Sequence, residues 1–110
     1  MKVRLATAVV NVVTAGTAVP LSSATKWVFG LRLKAAAGNA GLCYYGDSTV
    51  DAASGVEIAA GAAVEFKDVL GAIQDGEGVR DLVKVDLADI YLDAANNDED
   101  VAISYFEEIR

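Results

Sequence analysis

The chain has no histidine, a single cysteine, a single proline and no long apolar run. Without histidine it loses the commonest general base and the commonest metal ligand. Ser22, Ser48 and Ser104 therefore have no imidazole to activate them, which excludes the ordinary nucleophilic triad. Lone Cys43 cannot close an internal disulfide. Its position between Leu42 and Tyr44, in a strand-like run, reads as a small buried hydrophobe and gives no compartment. No window approaches the ~20 apolar residues of a membrane helix, so a soluble protein is expected, with no membrane partner. The start, Lys2-Val3-Arg4-Leu5 and an apolar stretch to Val13, has the outline of a secretion signal. Thr7 and Asn11 interrupt it and its β-branched residues favour a strand. Aromatic residues are few, and much of the 54% apolar content is alanine and valine, the makings of a thin core between facing sheets. At 110 residues, one domain spanning 1–110 is expected.

Acids are missing from the first part of the chain. Residues 1–46 carry Lys2, Arg4, Lys26, Arg32 and Lys34 and no carboxylate, whereas all sixteen acids fall in residues 47–110. The net charge of −7 disfavours nucleic acid as a direct ligand, because phosphate binding relies on clustered cations. Two arrangements fit the split. Basic and acidic strands can neighbour each other in one fold, or a basic face of one copy can meet an acidic face of another and steer assembly.

What is present is a succession of short β-favouring runs, each closed by glycine or by Asn, Asp and Ser. Val3, Leu5, Val9 and Val13 alternate with smaller or charged residues, as on a half-buried strand. Thr17 to Leu21 is a second strand, with Pro20 marking an edge or an end. The clearest alternation places Trp27, Phe29, Leu31 and Leu33 toward the core and Lys26, Val28, Gly30, Arg32 and Lys34 outward. Leu42 to Tyr45 returns. Val56-Glu57-Ile58 and Val64-Glu65-Phe66 flank an Ala60-Gly61 turn as a hairpin would. Lys67 to Arg80 is expected to be a long loop, and Asp81 to Ala95 is open between helix and strand. A closing strand points Val101, Ile103 and Tyr105 inward. These signals predict an all-β, antiparallel β-sandwich, jelly-roll-like, of about seven to nine short strands.

Candidate chemistry is sparse. Asn96, Asp98, Asp100 and Glu107 fall at the first, third, fifth and twelfth positions of a calcium loop, but Val101 stands where the sixth position requires glycine. A solvated acidic turn is expected instead. Asp86, Asp89 and Asp93 offer paired carboxylates with nothing to set them across an apolar cleft, and are expected at the surface. Gly76-Glu77-Gly78 lacks the Lys-Ser/Thr of a phosphate loop. Trp27, Tyr44, Tyr45, Tyr91 and Tyr105 would form a sugar platform only as a coplanar exposed set. No catalytic residue, metal or cofactor is expected.

The string Asn39-x-Gly41-x-x-Tyr44-Tyr45-Gly46-x-Ser48-x-Val50, then Gly55, Ile58-x-x-Gly61 and Asp89-Ile90-Tyr91-Leu92-Asp93-Ala94, resembles small β-sandwich virion proteins of tailed bacteriophages. The likeness runs from Thr14 to Tyr105. The chain departs from the pattern in its Lys67 to Arg80 segment, which is longer, and in a more acidic final turn. The resemblance implies a strand at Ile90 to Asp93 and a capsid decoration or cement protein, non-enzymatic, made in the host bacterial cytoplasm and carried on the capsid surface. It further implies self-association as a homotrimer and contact with the major capsid protein. A receptor- or glycan-binding module of a head fibre or tail is the alternative. The expected partner surfaces are Lys2 and Arg4 on the first strand, the cations Lys26, Arg32 and Lys34, and the acidic turn at Asp98 and Asp100.

Overall fold

A computed structural model describes residues 2–66 and 84–109 of the chain. They form two antiparallel sheets packed face to face, the expected sandwich. Nine strands are described: β1 (Lys2–Val12), β2 (Val19–Pro20), β3 (Trp27–Ala35), β4 (Cys43–Gly46), β5 (Val56–Ile58), β6 (Ala63–Glu65), β7 (Val85–Asp86), β8 (Tyr91–Ala94) and β9 (Glu99–Ile109). The larger sheet runs β1-β9-β3-β6, with β7 also on β3, and the smaller runs β2-β8-β4-β5. Pro20, without a ladder donor, sits on edge strand β2 as expected.

The core lies between the sheets. Leu31, Leu33 and Ala35 of β3 and Val101, Ile103 and Tyr105 of β9 meet Cys43, Ile58, Leu92 and Ala94 of the opposite sheet, all buried. Alternation on β9 follows the expected pattern, and Cys43 is fully buried. β8 takes the strand form. The described residues before it, from Lys84, comprise β7 and one 3-10 turn at Leu87–Asp89, capped by the Asp86 carboxylate, which accepts from Ala88 N. The loop expected over Lys67 to Arg80 lies outside the described residues.

Three expectations are corrected. First, Trp27 is 58% exposed and Val28 fully buried, the reverse of the reading by strict alternation. Phe29 faces Phe106 and Arg32 faces Ser104, so β3 spends one extra residue against β9, and a bulge resets its facing. Gly30 supplies the left-handed backbone there, at φ 64°. Second, the apolar odd row of β1 faces out: Leu5 is 61% and Val9 67% exposed, while Val10 and Val12 turn to the core. Third, β5 and β6 are not a hairpin. β5 pairs with β4 and β6 with β3, so the Ala60-Gly61 turn carries the chain from one sheet to the other.

Asp86 and Asp93, expected at the surface, are buried along with Glu99. Each holds a loop by its backbone amides, which satisfies both the buried carboxylate and the otherwise unpaired N–H groups. Asp86 Oδ1 accepts from Lys26 N at 2.9 Å, and Asp93 Oδ1 from Gly16 N at 2.8 Å. Glu99 Oε1 accepts from Ala40 N at 2.9 Å and Gly41 N at 3.0 Å. Asn39 completes that corner, donating from Nδ2 to Asp100 O and accepting from Asp100 N at Oδ1, as a strand residue would.

Candidate functional site: the outer face of the large sheet

The outward row of β1 lies beside the outward row of β9. Leu5 is opposite Phe106, Thr7 opposite Ser104 and Val9 opposite Ala102. Arg32 and Lys34 of β3 continue the row on the far side of Ser104 and Ala102. The result is a stripe of two apolar pairs, Leu5–Phe106 and Val9–Ala102, with Thr7 and Ser104 between them, bordered by two cations, both exposed. Glu65 of β6 stands 3.9 Å from Arg32 Nε, an exposed pair of small energetic consequence. Two shallow depressions mark this face, one of about 370 Å³ between Val9, Lys34 and Ala102, the other of about 290 Å³ between Leu5, Arg32 and Phe106. The second is lined by the charged pair Arg32 and Glu65 as well as by Leu5, Phe66 and Phe106.

At one end the large sheet narrows to two strands, because β9 beyond Phe106 pairs with β1 alone among the described residues. Here Glu107 gathers two of the cations singled out from the sequence: Arg4 Nε at 2.7 Å and Lys26 Nζ at 2.8 Å. The hydrogen bond from Lys26, then that from Arg4, holds the Glu107 carboxyl below the usual glutamate range. The same bond raises the Lys26 ammonium, which also stands 5.8 Å from the centre of the Tyr105 ring. Lys84 adds a pair with Glu108 at 3.5 Å. The basic and acidic parts of the sequence thus neighbour one another within one fold.

The expected interface residues therefore separate. Arg4 and Lys26 are engaged inside the chain, Arg32 and Lys34 border the outer stripe, and Lys2 is exposed at the start of β1. Asp98 and Asp100 lie at the opposite end of β1, where Asp98 N donates to Val12 O and Asp100 Oδ1 accepts from Asn11 Nδ2 at 2.7 Å. Glu107 lies seven residues along an extended strand from Asp100, roughly 23 Å at strand rise, so the calcium-loop positions do not converge. Among the described residues no three His, Cys, Asp or Glu side chains assemble as a metal site. Nor is any helix among them long and apolar enough to cross a membrane. Tyr44 and Tyr105 are buried, and Tyr45 packs edge-on against Phe66 at 5.2 Å, so the aromatics do not form a coplanar exposed platform.

Of the apolar members of this surface, Phe106 points outward as the alternation of the closing strand predicts, but Leu5 and Val9 escaped the sequence reading. They alternate as a core row would, and only the pairing of β1 outside β9, with no layer over that face among the described residues, turns them outward. The motif behind the virion resemblance has a structural purpose. A Cβ at Gly41 would stand 2.6 Å from Asn96 Nδ2, and Asn39 is the bonded partner of Asp100. No protein-family model, curated protein or solved structure matches the chain.

Proposed function

We propose that this protein is a structural assembly module, a capsid decoration protein that adheres to copies of itself and to the shell of a phage head. The observation that carries the reading is the outer stripe of the large sheet, where Leu5, Val9 and Phe106 remain 40% or more exposed beside Arg32 and Lys34. Contiguous exposed apolar side chains rimmed by charge mark a surface that another protein covers. The resemblance to virion proteins supplies the place, the outside of a head. A shell is built from many weak, repeated contacts, and a small rigid module that binds the assembled lattice stabilises it by mass action and avidity, with no catalytic step. The major capsid protein is then the partner under the stripe.

The experiment is immunogold labelling of purified virions from the phage or prophage that encodes the chain. Label over the head supports the reading. Label confined to the tail, or virions free of the chain, overturns it.

A further inference from the structure

We infer that β1 pairs antiparallel with β1 of a second copy about a twofold axis at Thr7, joining two large sheets into one. This rests on the assembly reading above and names one partner and one contact for it. Among the described residues β1 is the border strand of its sheet and runs eleven residues, an edge of roughly 36 Å at strand rise. An edge strand exposes a row of unpaired backbone donors and acceptors, and proteins guard such rows with charge, proline, bulges or brevity. On β1 the charges Lys2 and Arg4 guard only its start. Its register with β9 is unbroken over eleven pairs, and from Leu5 to Val12 it holds neither a charge nor a proline.

The geometry selects the occupant. The other border strands described, β2, β5, β6 and β7, are two or three residues long, too short to match β1 along its length. Only another β1 offers an equal edge, and like edges meet across a twofold axis. Full overlap of residues 2–12 sets Leu5 against Val9 and Val3 against Asn11, so the apolar outer stripes of the two copies become continuous. Charge agrees with this direction for Lys2, which comes beside Val12 of the other copy, where exposed Asp98 stands, while Arg4 stays with Glu107 of its own chain. A pair closed in this way also widens the narrow β1–β9 end into four strands, where two alone are marginal.

The test is sedimentation equilibrium of the full chain together with Thr7→Pro and Ala8→Pro. Successive strand residues aim their N–H groups to opposite sides, so one of these prolines removes a donor from the open edge and the other a bond to β9. The expected result is twice 11.4 kDa for the wild type. The proline that retains the native circular dichroism is expected to sediment at 11.4 kDa. A wild-type monomer, a trimer, or a folded edge variant that still pairs overturns the inference. Should neither variant fold, amide exchange of the wild type decides. Slowing of every second β1 amide as concentration rises supports the pairing, and β1 exchange indifferent to concentration overturns it. A pair that never appears in virions sinks the capsid assignment alone, whereas head labelling by a chain that stays monomeric sinks the pairing alone.

Discussion

Phe106 lies over Gly30 so closely that a Cβ on the glycine would stand 3.0 Å from Phe106 Cδ2. Residue 30 also adopts φ 64°, a conformation that costs an L side chain about 1–2 kcal/mol. Gly30→Ala is therefore expected to destabilise the fold by about 1–2 kcal/mol and to lower the melting temperature by several degrees. Thermal unfolding followed by circular dichroism reads this directly, and an unchanged midpoint would mean that the bulge is misplaced.

The same bulge makes Trp27 and Leu31 unequal. Trp27→Ala removes a largely exposed ring and should alter stability by no more than about 0.5 kcal/mol. Leu31→Ala empties a site that is 1% exposed and should cost about 2–5 kcal/mol. Urea titration of the two variants separates a β3 with a reset from one of uniform alternation, which would make the tryptophan the costlier loss.

Glu99 carries the turn between β3 and β4. Glu99→Ala leaves the N–H groups of Ala40 and Gly41 without their acceptor in a partly buried place. The expected loss is about 2–3 kcal/mol, with the slope of the denaturant curve unchanged. A variant as stable as the wild type would show that water replaces the carboxylate freely.

The ion cluster at Glu107 predicts an acid dependence of known sign. Its folded-state pKa lies below the unfolded one, so the unfolded chain takes up the proton first as pH falls. The stabilisation is complete above the ordinary glutamate value, roughly pH 4.3, and vanishes as pH falls through the depressed folded value. The melting temperatures of Glu107→Gln and the wild type should differ at pH 7 and converge toward pH 3. Asp47, lowered first by its side-chain bond with Thr49, and Asp51, lowered first by Ser54 N, leave both proteins a common residual slope. A gap of constant size down to pH 3 would count against the cluster.

Cys43 of the small sheet is buried in the core between the two sheets, and desolvation raises its thiol above the ordinary value. An aromatic disulfide reagent is expected to label it at once in denaturant and only at the rate of local opening in the folded chain. Immediate stoichiometric labelling without denaturant would contradict the burial.

The sequence revealed the sandwich because side-chain alternation and turn chemistry are local, and they hold here for β9 and for edge residue Pro20. What it concealed was non-local. Of the pairings described, only β4 with β5 joins strands adjacent in the sequence, so which run lies beside which had no local signature. That is why Val56 to Phe66 imitates a hairpin yet divides between two sheets. It is also why Val3, Leu5 and Val9 imitate a core row. The carboxylates of Asp86, Asp93 and Glu99 read as solvated for a similar reason, since the loop amides of Lys26, Gly16, Ala40 and Gly41 that they hold lie 58 to 77 residues away along the chain. Cations, by contrast, were legible at the surface, although the engagement of Arg4 and Lys26 by one glutamate was not.

Because β9 is wedged between β1 and β3, the opening eleven-residue ribbon has nowhere to settle until residue 99 and those after it have been synthesised. On a translating ribosome the sticky Leu5 to Val12 segment must wait, naked, until its partner residues 99–109 have been made. Chaperone demand during synthesis, and inclusion bodies when expression outruns it, follow from strand order alone.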